Sequence, residues 1–324
     1  MDLNEGPRPD YSNTEFESVA CALCGNTETE SIAKQGRYGF PAFVSICPDC
    51  GLVYLNPRWT KSQYDGFYAV GDDKTNRLSL EQRQRCYDSL NVPNHATAAV
   101  MWERISPHSV SGIGSILDIG CGMGWQLDYL GRKAGATFLA GIESSEYCVA
   151  NVVDNLGAEL ISNDVASDWH IGNEGRFDLI TMRHALEHFL DPVAVLKKVG
   201  VALSPRGLVY VSVPNMMSPT RDALSKSWFR VVHTYYFSRA TLGRALAMAG
   251  LGPFGEICSE GSELWGVFRK GSIRVDDTSV YAAQMKTIRS HRRRQLIRKP
   301  RALVPERLIS LVPRGIKDRV KGLL

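Results

Sequence analysis

The sequence predicts an α/β fold, and three observations carry the prediction. From residue 111 onward, short apolar runs of strand length alternate with longer stretches of helical pattern. The first run, Ser115-Ile-Leu-Asp-Ile-Gly-Cys-Gly-Met-Gly-Trp125, reads as a buried strand entering a glycine-rich turn and then a helix. The next, Phe138-Leu-Ala-Gly-Ile-Glu143, is closed by a carboxylate.

Strands are expected at about 115–120, 138–143, 158–163, 177–183 and 207–213, with helices at about 125–134, 145–156 and 192–203. Asp191-Pro192 fits a helix start, aspartate as cap and proline in the first turn. Ser204-Pro-Arg-Gly207 reads as a turn before the fifth strand. A helix over 238–250 has Ser238 as cap and Gly250 as stop, and two last strands, about 254–259 and 263–269, form a hairpin through Glu260-Gly-Ser262.

In the first run, Asp118, Gly120, Gly122 and Gly124 fall at alternate positions. Glycine lets the chain turn sharply and approach a ligand closely. The dinucleotide pattern G-x-G-x-x-G would need glycine at position 125, which is Trp125. Glu143 stands where a carboxylate accepts hydrogen bonds from ribose hydroxyls. Together these residues resemble the class I S-adenosylmethionine-dependent methyltransferases. The resemblance implies a Rossmann-like, seven-stranded sheet over 111–272, mostly parallel with the last strand antiparallel. It implies that Asp118, Gly120, Cys121, Gly122 and Gly124 cradle the amino-acid part of S-adenosylmethionine, with Glu143 and Ser144 at the ribose, Asp164 and Val165 at the adenine, and Arg183 completing the set. The plainer reading makes Asp118 and Glu143 strand-end caps around an ordinary turn; the order of strand, glycine turn, helix and second-strand acid favours the cofactor.

The 324 residues are 44% hydrophobic and 22% charged, which fits a soluble globular protein with a sizeable core. No apolar run approaches the roughly 20 residues that span a bilayer, and no secretory signal opens the chain, so a cytoplasmic location is expected. The net charge of +4 is uneven. Residues 286–324 hold 13 Lys/Arg and 2 Asp/Glu, a net of +11, so the remainder carries −7.

Of eight cysteines, four form Cys21-x-x-Cys24 and Cys47-x-x-Cys50 across a gap of 22 residues. Two such knuckles place four thiolates around one tetrahedral Zn2+, and a fully protein-ligated zinc is structural. A pair of redox motifs would need a strand-to-helix context that neither has. Cys86, Cys148 and Cys258 read as buried, small apolar residues. The continuation Cys47-Pro-Asp-Cys-Gly-Leu-Val-Tyr-Leu-Asn-Pro-Arg58, followed by Tyr64-Asp-Gly-Phe-Tyr68, resembles the zinc-binding unit fused to the methyltransferase core in deoxysugar C-methyltransferases and enzymes of surface-polysaccharide clusters. The organisation expected is a flexible start (1–14), a zinc ribbon (15–70), a helical linker (71–110), the cofactor domain (111–272) with a substrate-loop insertion (216–237), and a basic helical tail (273–324).

His184-x-x-Glu-His188 matches an inverted zinc-peptidase signature, but that motif belongs within a helix, whereas His184 falls at a strand exit. The same segment resembles the Leu-Glu-His-x-x-x-Pro stretch after strand four of these methyltransferases. Methyl transfer to a hydroxyl or carbon acid requires alignment and removal of a proton. His188 is the first candidate base, Glu187 its orienting partner, His184 the second candidate, and His233, in the family-like His233-Thr-Tyr-Tyr-Phe-Ser238, a third or a substrate contact. In related ubiquinone O-methyltransferases the corresponding Glu-x-x-Glu-His can hold a divalent cation; His184 here replaces the first glutamate and speaks against a catalytic metal. Trp228, Phe229, Tyr235 and Tyr236 are expected to stack on a sugar or nucleobase. The acceptor expected is a small molecule or sugar, nucleotide- or lipid-linked. The basic tail fits an anionic membrane surface, with RNA as its rival partner; an RNA methyltransferase is the second reading of function, disfavoured by the acidic body, and a non-catalytic scaffold is the third.

Overall fold

The computed structural model describes residues 14–36, 41–69, 95–219, 228–271 and 278–303. Residues 1–13, where a flexible start is expected, Cys86 with most of the linker, part of the 216–237 insertion and the tail beyond 303 lie outside the described residues. The N-terminal part contains β1 (Phe16–Glu17), β2 (Glu30–Gln35), β3 (Pro41–Ile46), β4 (Val53–Leu55), β5 (Arg58–Trp59) and α1 (Lys61–Ala69). Helix α2 (Ala96–Ile105) then leads into the core.

The core alternates as expected: β6 (Ser115–Ile119), α3 (Trp125–Ala134), β7 (Phe138–Ile142), α4 (Glu146–Ala150), β8 (Glu159–Ser162), β9 (Phe177–Arg183), α5 (Pro192–Ala202) and β10 (Leu203–Pro214). After β11 (Tyr235–Tyr236) come α6 (Arg239–Met248), β12 (Leu251–Pro253), β13 (Cys258–Glu260), β14 (Glu263–Lys270) and α7 (Tyr281–Leu303). The main sheet runs β12-β14-β10-β9-β6-β7-β8, with β13 also on β14. Strands β6 to β10 pair in parallel, and β14 enters antiparallel to β10. This is the Rossmann-like methyltransferase sheet with its antiparallel edge.

Both faces are covered, so the strands are apolar on both sides. Alternate residues serve opposite layers. Ile116, Leu179 and Tyr210 pack with Met101 and Ile105 of α2 and with Leu127 and Leu130 of α3. Leu117, Ile180 and Val211 pack with Val195 and Leu196 of α5 and with Leu242 and Leu246 of α6. The helix starts follow their cap chemistry. Asp191 accepts from the Ala194 N–H at 2.9 Å, and Ser238 forms a capping box with Thr241.

Four local expectations are corrected. Ser204-Pro-Arg-Gly207 lies inside β10, where a register shift between Leu203 and Leu208 absorbs it. The expected 145–156 helix widens after α4 into a π turn over Asn151–Asn155. The expected 254–259 strand is reduced to β13, while β12 forms ahead of it over Leu251–Pro253; both pair with β14. Cys148 and Cys258 are half-buried rather than buried.

The N-terminal part is not an appended bead. Its four-stranded sheet, order β11-β4-β3-β2, borrows β11 from the segment after β10. That recruitment overturns the expectation that the aromatic run stacks on acceptor. Phe229, Tyr235 and Tyr236 are only 4%, 3% and 2% exposed and form core. The first turns of α7 close the same sheet from outside: Met285 and Ile288 pack against Ile32, Val44 and Ile46.

Candidate active site

The carboxyl ends of β6, β7 and β9 converge on the glycine turn, where a doubly wound sheet binds ligands. Gly120, Gly122 and Gly124 all have positive φ (+75°, +53° and +76°), a region that penalises side chains. The Gly120 N–H donates to the Ile142 carbonyl at 2.8 Å, stitching the turn to β7. A Cβ on Gly122 would meet none of the described residues within 4 Å, which leaves the backbone there open to a ligand among them. Cys121 faces inward, its Sγ only 2.7 Å from where a Cβ on Gly141 would lie; burial holds its thiol well above the usual range.

Glu143 reaches back over this turn. Its Oε2 accepts from the Gly122 N–H at 2.8 Å and its Oε1 from the Ser145 N–H at 2.9 Å. A carboxylate has about four acceptor positions, so each oxygen keeps one for a ribose hydroxyl. Ser144, beside it, is exposed. Asp118 lies beneath the turn, 3% exposed, accepting from the Thr181 hydroxyl at 2.6 Å. Burial pushes its pKa up to about 7; Thr181 and the nearby Arg183 resist, and Glu143 adds to the rise. Asp164 is already engaged: Oδ1 accepts from the Ala166 N–H at 2.8 Å and Oδ2 pairs with Lys61 at 3.1 Å. That pair is about half exposed and weak, so an adenine amino group can share the carboxylate. Val165 packs against the core beside it.

Asn151 carries no functional signal in the sequence. It is buried in the π turn, and its amide donates to the Met123 carbonyl of the glycine turn at 2.6 Å. Widening the helix turns that side chain toward the loop, a known use of π turns near binding sites.

Six side chains gather where β9 ends. His184 exits the strand with φ +50°, and Leu186–His188 form one 3-10 turn. This geometry excludes the peptidase reading, which needs a continuous helix. Glu187 is 1% exposed, and its Oε2 has no hydrogen-bond partner among the described residues. His188 Nε2 faces Glu187 Oε1 at 3.9 Å, while its Nδ1 is 2.8 Å from the Tyr68 hydroxyl of α1. The His233 ring stands edge-on to His188, with centroids 4.8 Å apart. Thr234 ties the groups together, its hydroxyl donating to the carbonyls of Glu187 and Phe189 at 3.0 and 2.8 Å.

A profile of the methyltransferase domain matches residues 38–252, well over half of the chain. The chain belongs to that family. This methyltransferase is also similar to the "Ubiquinone biosynthesis O-methyltransferase" of Neisseria meningitidis serogroup A, 29% identical over 31% of this chain and 44% of that protein. The chain thus spans less than half the length of that relative. The Xanthomonas campestris protein of the same description is 26% identical over 57% of this chain and 73% of its own length. Among solved structures, an S-adenosylmethionine-dependent methyltransferase from Clostridium acetobutylicum superposes with a TM-score of 0.45, at 12% identity over 59% of this chain and 99% of that one.

The methyltransferase carries its cysteine cluster against the same core. The two knuckles are alike: the Gly25 N–H donates to the Cys21 carbonyl at 2.8 Å and the Gly51 N–H to the Cys47 carbonyl at 3.0 Å, with φ near +76° and +79°. Cys21 and Cys50 sulfurs lie 3.4 Å apart, as do those of Cys24 and Cys47, and all four lie within 4.8 Å of one another. A disulfide needs about 2.05 Å. Bonds of about 2.3 Å to one zinc set sulfurs about 3.8 Å apart, so the donor set suits that ion. Gly51 is needed twice over, since a Cβ there would meet the Tyr281 nitrogen of α7 at 2.5 Å.

The turn gives a direct test. In Gly120→Ala the new Cβ would lie 3.0 Å from the Ala185 Cβ, which has no rotamer to move away. The variant is expected to lose about 1–3 kcal/mol of stability, read from urea midpoints. An unshifted midpoint would show that the turn tolerates a side chain.

Proposed function

We propose that this methyltransferase uses S-adenosylmethionine to methylate a hydroxyl or carbon acid of a small molecule, most plainly a sugar carried on a nucleotide or lipid. The observation that carries this reading is the Tyr68–His188–Glu187 arrangement at the mouth of β9, beside the glycine turn. The bound donor supplies a methyl group made electrophilic by positive sulfur. Gly120, Gly122, Gly124 and Glu143 hold it, with Asp164 at its base and Asp118 bracing the turn from below.

The protein must then take a proton from the acceptor. With Nδ1–H donated to the Tyr68 oxygen, the His188 lone pair is on Nε2; Glu187 Oε1 stands 3.9 Å from that nitrogen, beyond hydrogen-bond distance, and becomes its partner only once Nε2 has taken the acceptor's proton. That tautomer is the one a base needs, and Glu187 stabilises the imidazolium that forms. His233, edge-on to the His188 ring, holds that imidazole in place. The curated relatives' description as O-methyltransferases supports oxygen as the acceptor atom. Zinc in the four-cysteine cluster is structural on this reading, since every coordination position is a thiolate.

The deciding experiment is methyl uptake from labelled S-adenosylmethionine across nucleotide sugars, lipid-linked sugars and simple phenols. Label is expected in a sugar. Label in phenols alone would move the acceptor away from carbohydrate.

The basic tail is proposed to rest on anionic lipid. Helix α7 buries Met285 and Ile288 and leaves Lys286, Arg289 and Arg293 exposed. No helix among the described residues is long and apolar enough to cross a membrane. Flotation with phosphatidylglycerol vesicles should lose the protein when residues 294–324 are removed; equal flotation would end the idea.

A further inference from the structure

His184 is a candidate base by its position in the sequence, but its surroundings give it another role. Among the described residues it alone combines a side chain with positive φ. Its N–H donates to the Ser212 carbonyl at 2.9 Å, which fixes the bend. The bend sets the imidazole between two carboxylates. Nδ1 lies 3.3 Å from Glu187 Oε1, and Nε2 lies 3.5 Å from Glu263 Oε1.

Glu263, at the start of β14, is itself anchored. Its Oε2 is 3.0 Å from Arg104 Nη1, and Arg104 reaches Glu260 at 2.7 Å and the Tyr210 hydroxyl at 2.8 Å. The guanidinium also lies over Trp265, 4.4 Å from the ring centre. Charges therefore alternate from the pocket outward: Glu187, His184, Glu263, Arg104, Glu260.

Both ring nitrogens of His184 face carboxylate oxygens. A neutral imidazole would turn one lone pair against a carboxylate, whereas the imidazolium satisfies both. An imidazolium has no lone pair with which to accept a proton. Glu187, almost fully buried, also needs a counter-charge, because an unpaired buried carboxylate is costly.

We propose that His184 is a positioning cation, clamped by Glu187 and Glu263, which neutralises the Glu187 carboxylate and aims it at His188. The proposal rests on Glu187 and His188 forming the deprotonation site. Burial and the nearby Arg183 oppose the charge on His184, but the two glutamates outweigh them and raise its pKa to about 9. The same contact and Arg104 outweigh the burial of Glu263 and lower it to about 2. A group raised in this way contributes stability below its unfolded pKa of about 6.5 and loses it as pH climbs through about 9.

The test is an imidazole nitrogen NMR titration of the zinc-loaded, full-length protein, with His184→Asn for assignment because asparagine tolerates positive φ. His184 is expected to stay doubly protonated through pH 8. Glu263→Gln should lower its midpoint by about one unit or more and shift the His188 resonances two links away. Urea stability should fall between about pH 6.5 and 9, and less so in His184→Asn. A wild-type midpoint near 6.5, or a Glu263→Gln variant that leaves both histidines unmoved, overturns the proposal. None of these readings requires an acceptor, so a failed His188 assignment shows up separately, in methyl uptake.

Discussion

Cys47→Ser is expected to release zinc and unfold the N-terminal sheet, and methyl transfer should go with it. The magnitude follows from what the cluster supports. Structural zinc in small domains supplies about 10–16 kcal/mol of binding free energy, which is folding free energy where the apo unit has little core. Here Cys47 is fully buried, and the cluster sulfurs pack with Leu23, Leu52 and Tyr54 against the face that also holds Val193 and Leu196. Serine offers a poorer ligand and leaves a thiolate trio beside an open position. The sheet that frays then includes β11, so Thr234 loses its grip on Glu187 and Phe189, and the neighbouring His233 moves. Loss of Tyr68 from His188 should follow, since α1 is continuous with β5. The main sheet takes no strand from the zinc unit, so S-adenosylmethionine binding by calorimetry is expected to survive within about tenfold, or 1.4 kcal/mol. Metal release with a chromogenic chelator, circular dichroism and donor calorimetry together check this. A variant that keeps its zinc and its melting curve would show that the cluster is not a metal site.

Much of this architecture is legible in residues whose chemistry is local. Glycine at 120, 122 and 124, each at positive φ, announces the turn because no other residue adopts that backbone cheaply. Asp191 and Ser238 announce helix starts because their side chains satisfy the N–H groups a helix leaves over. The cysteine spacing announces four thiols in one place. What the sequence hides is long-range. Tyr235 and Tyr236 look like a ligand-binding loop, and only pairing with Val53 and Tyr54, far away in the chain, makes them a strand of another sheet. Tyr68 reads as part of a zinc-unit motif, yet its hydroxyl serves a histidine 120 positions later. Glu263 reads as a strand residue after a hairpin, yet it clamps His184. The π turn at Asn151 leaves no pattern at all, since it is selected by one buried amide finding one carbonyl. Each miss is a contact set by topology rather than by neighbours.

His188→Ala should lower methyl uptake by about 10²–10⁴-fold while leaving donor affinity unchanged, the usual span for loss of a general base. The reason donor affinity should hold is spatial: the glycine turn and Glu143 make their bonds to β7 and to backbone N–H groups, not to His188. Tyr68→Phe separates proton removal from mere shape. It keeps the ring but deletes the oxygen at 2.8 Å from Nδ1, so the proton on His188 is free to move to Nε2 and spoil the base. A loss of about tenfold is expected, equal to one hydrogen bond of roughly 1.4 kcal/mol. The double variant should be no worse than His188→Ala alone, because without an imidazole Tyr68 has no tautomer to choose. That non-additivity is the sharpest reading: if the two losses multiply instead, Tyr68 acts independently of the His188 imidazole, and its role as the group that sets the tautomer is wrong.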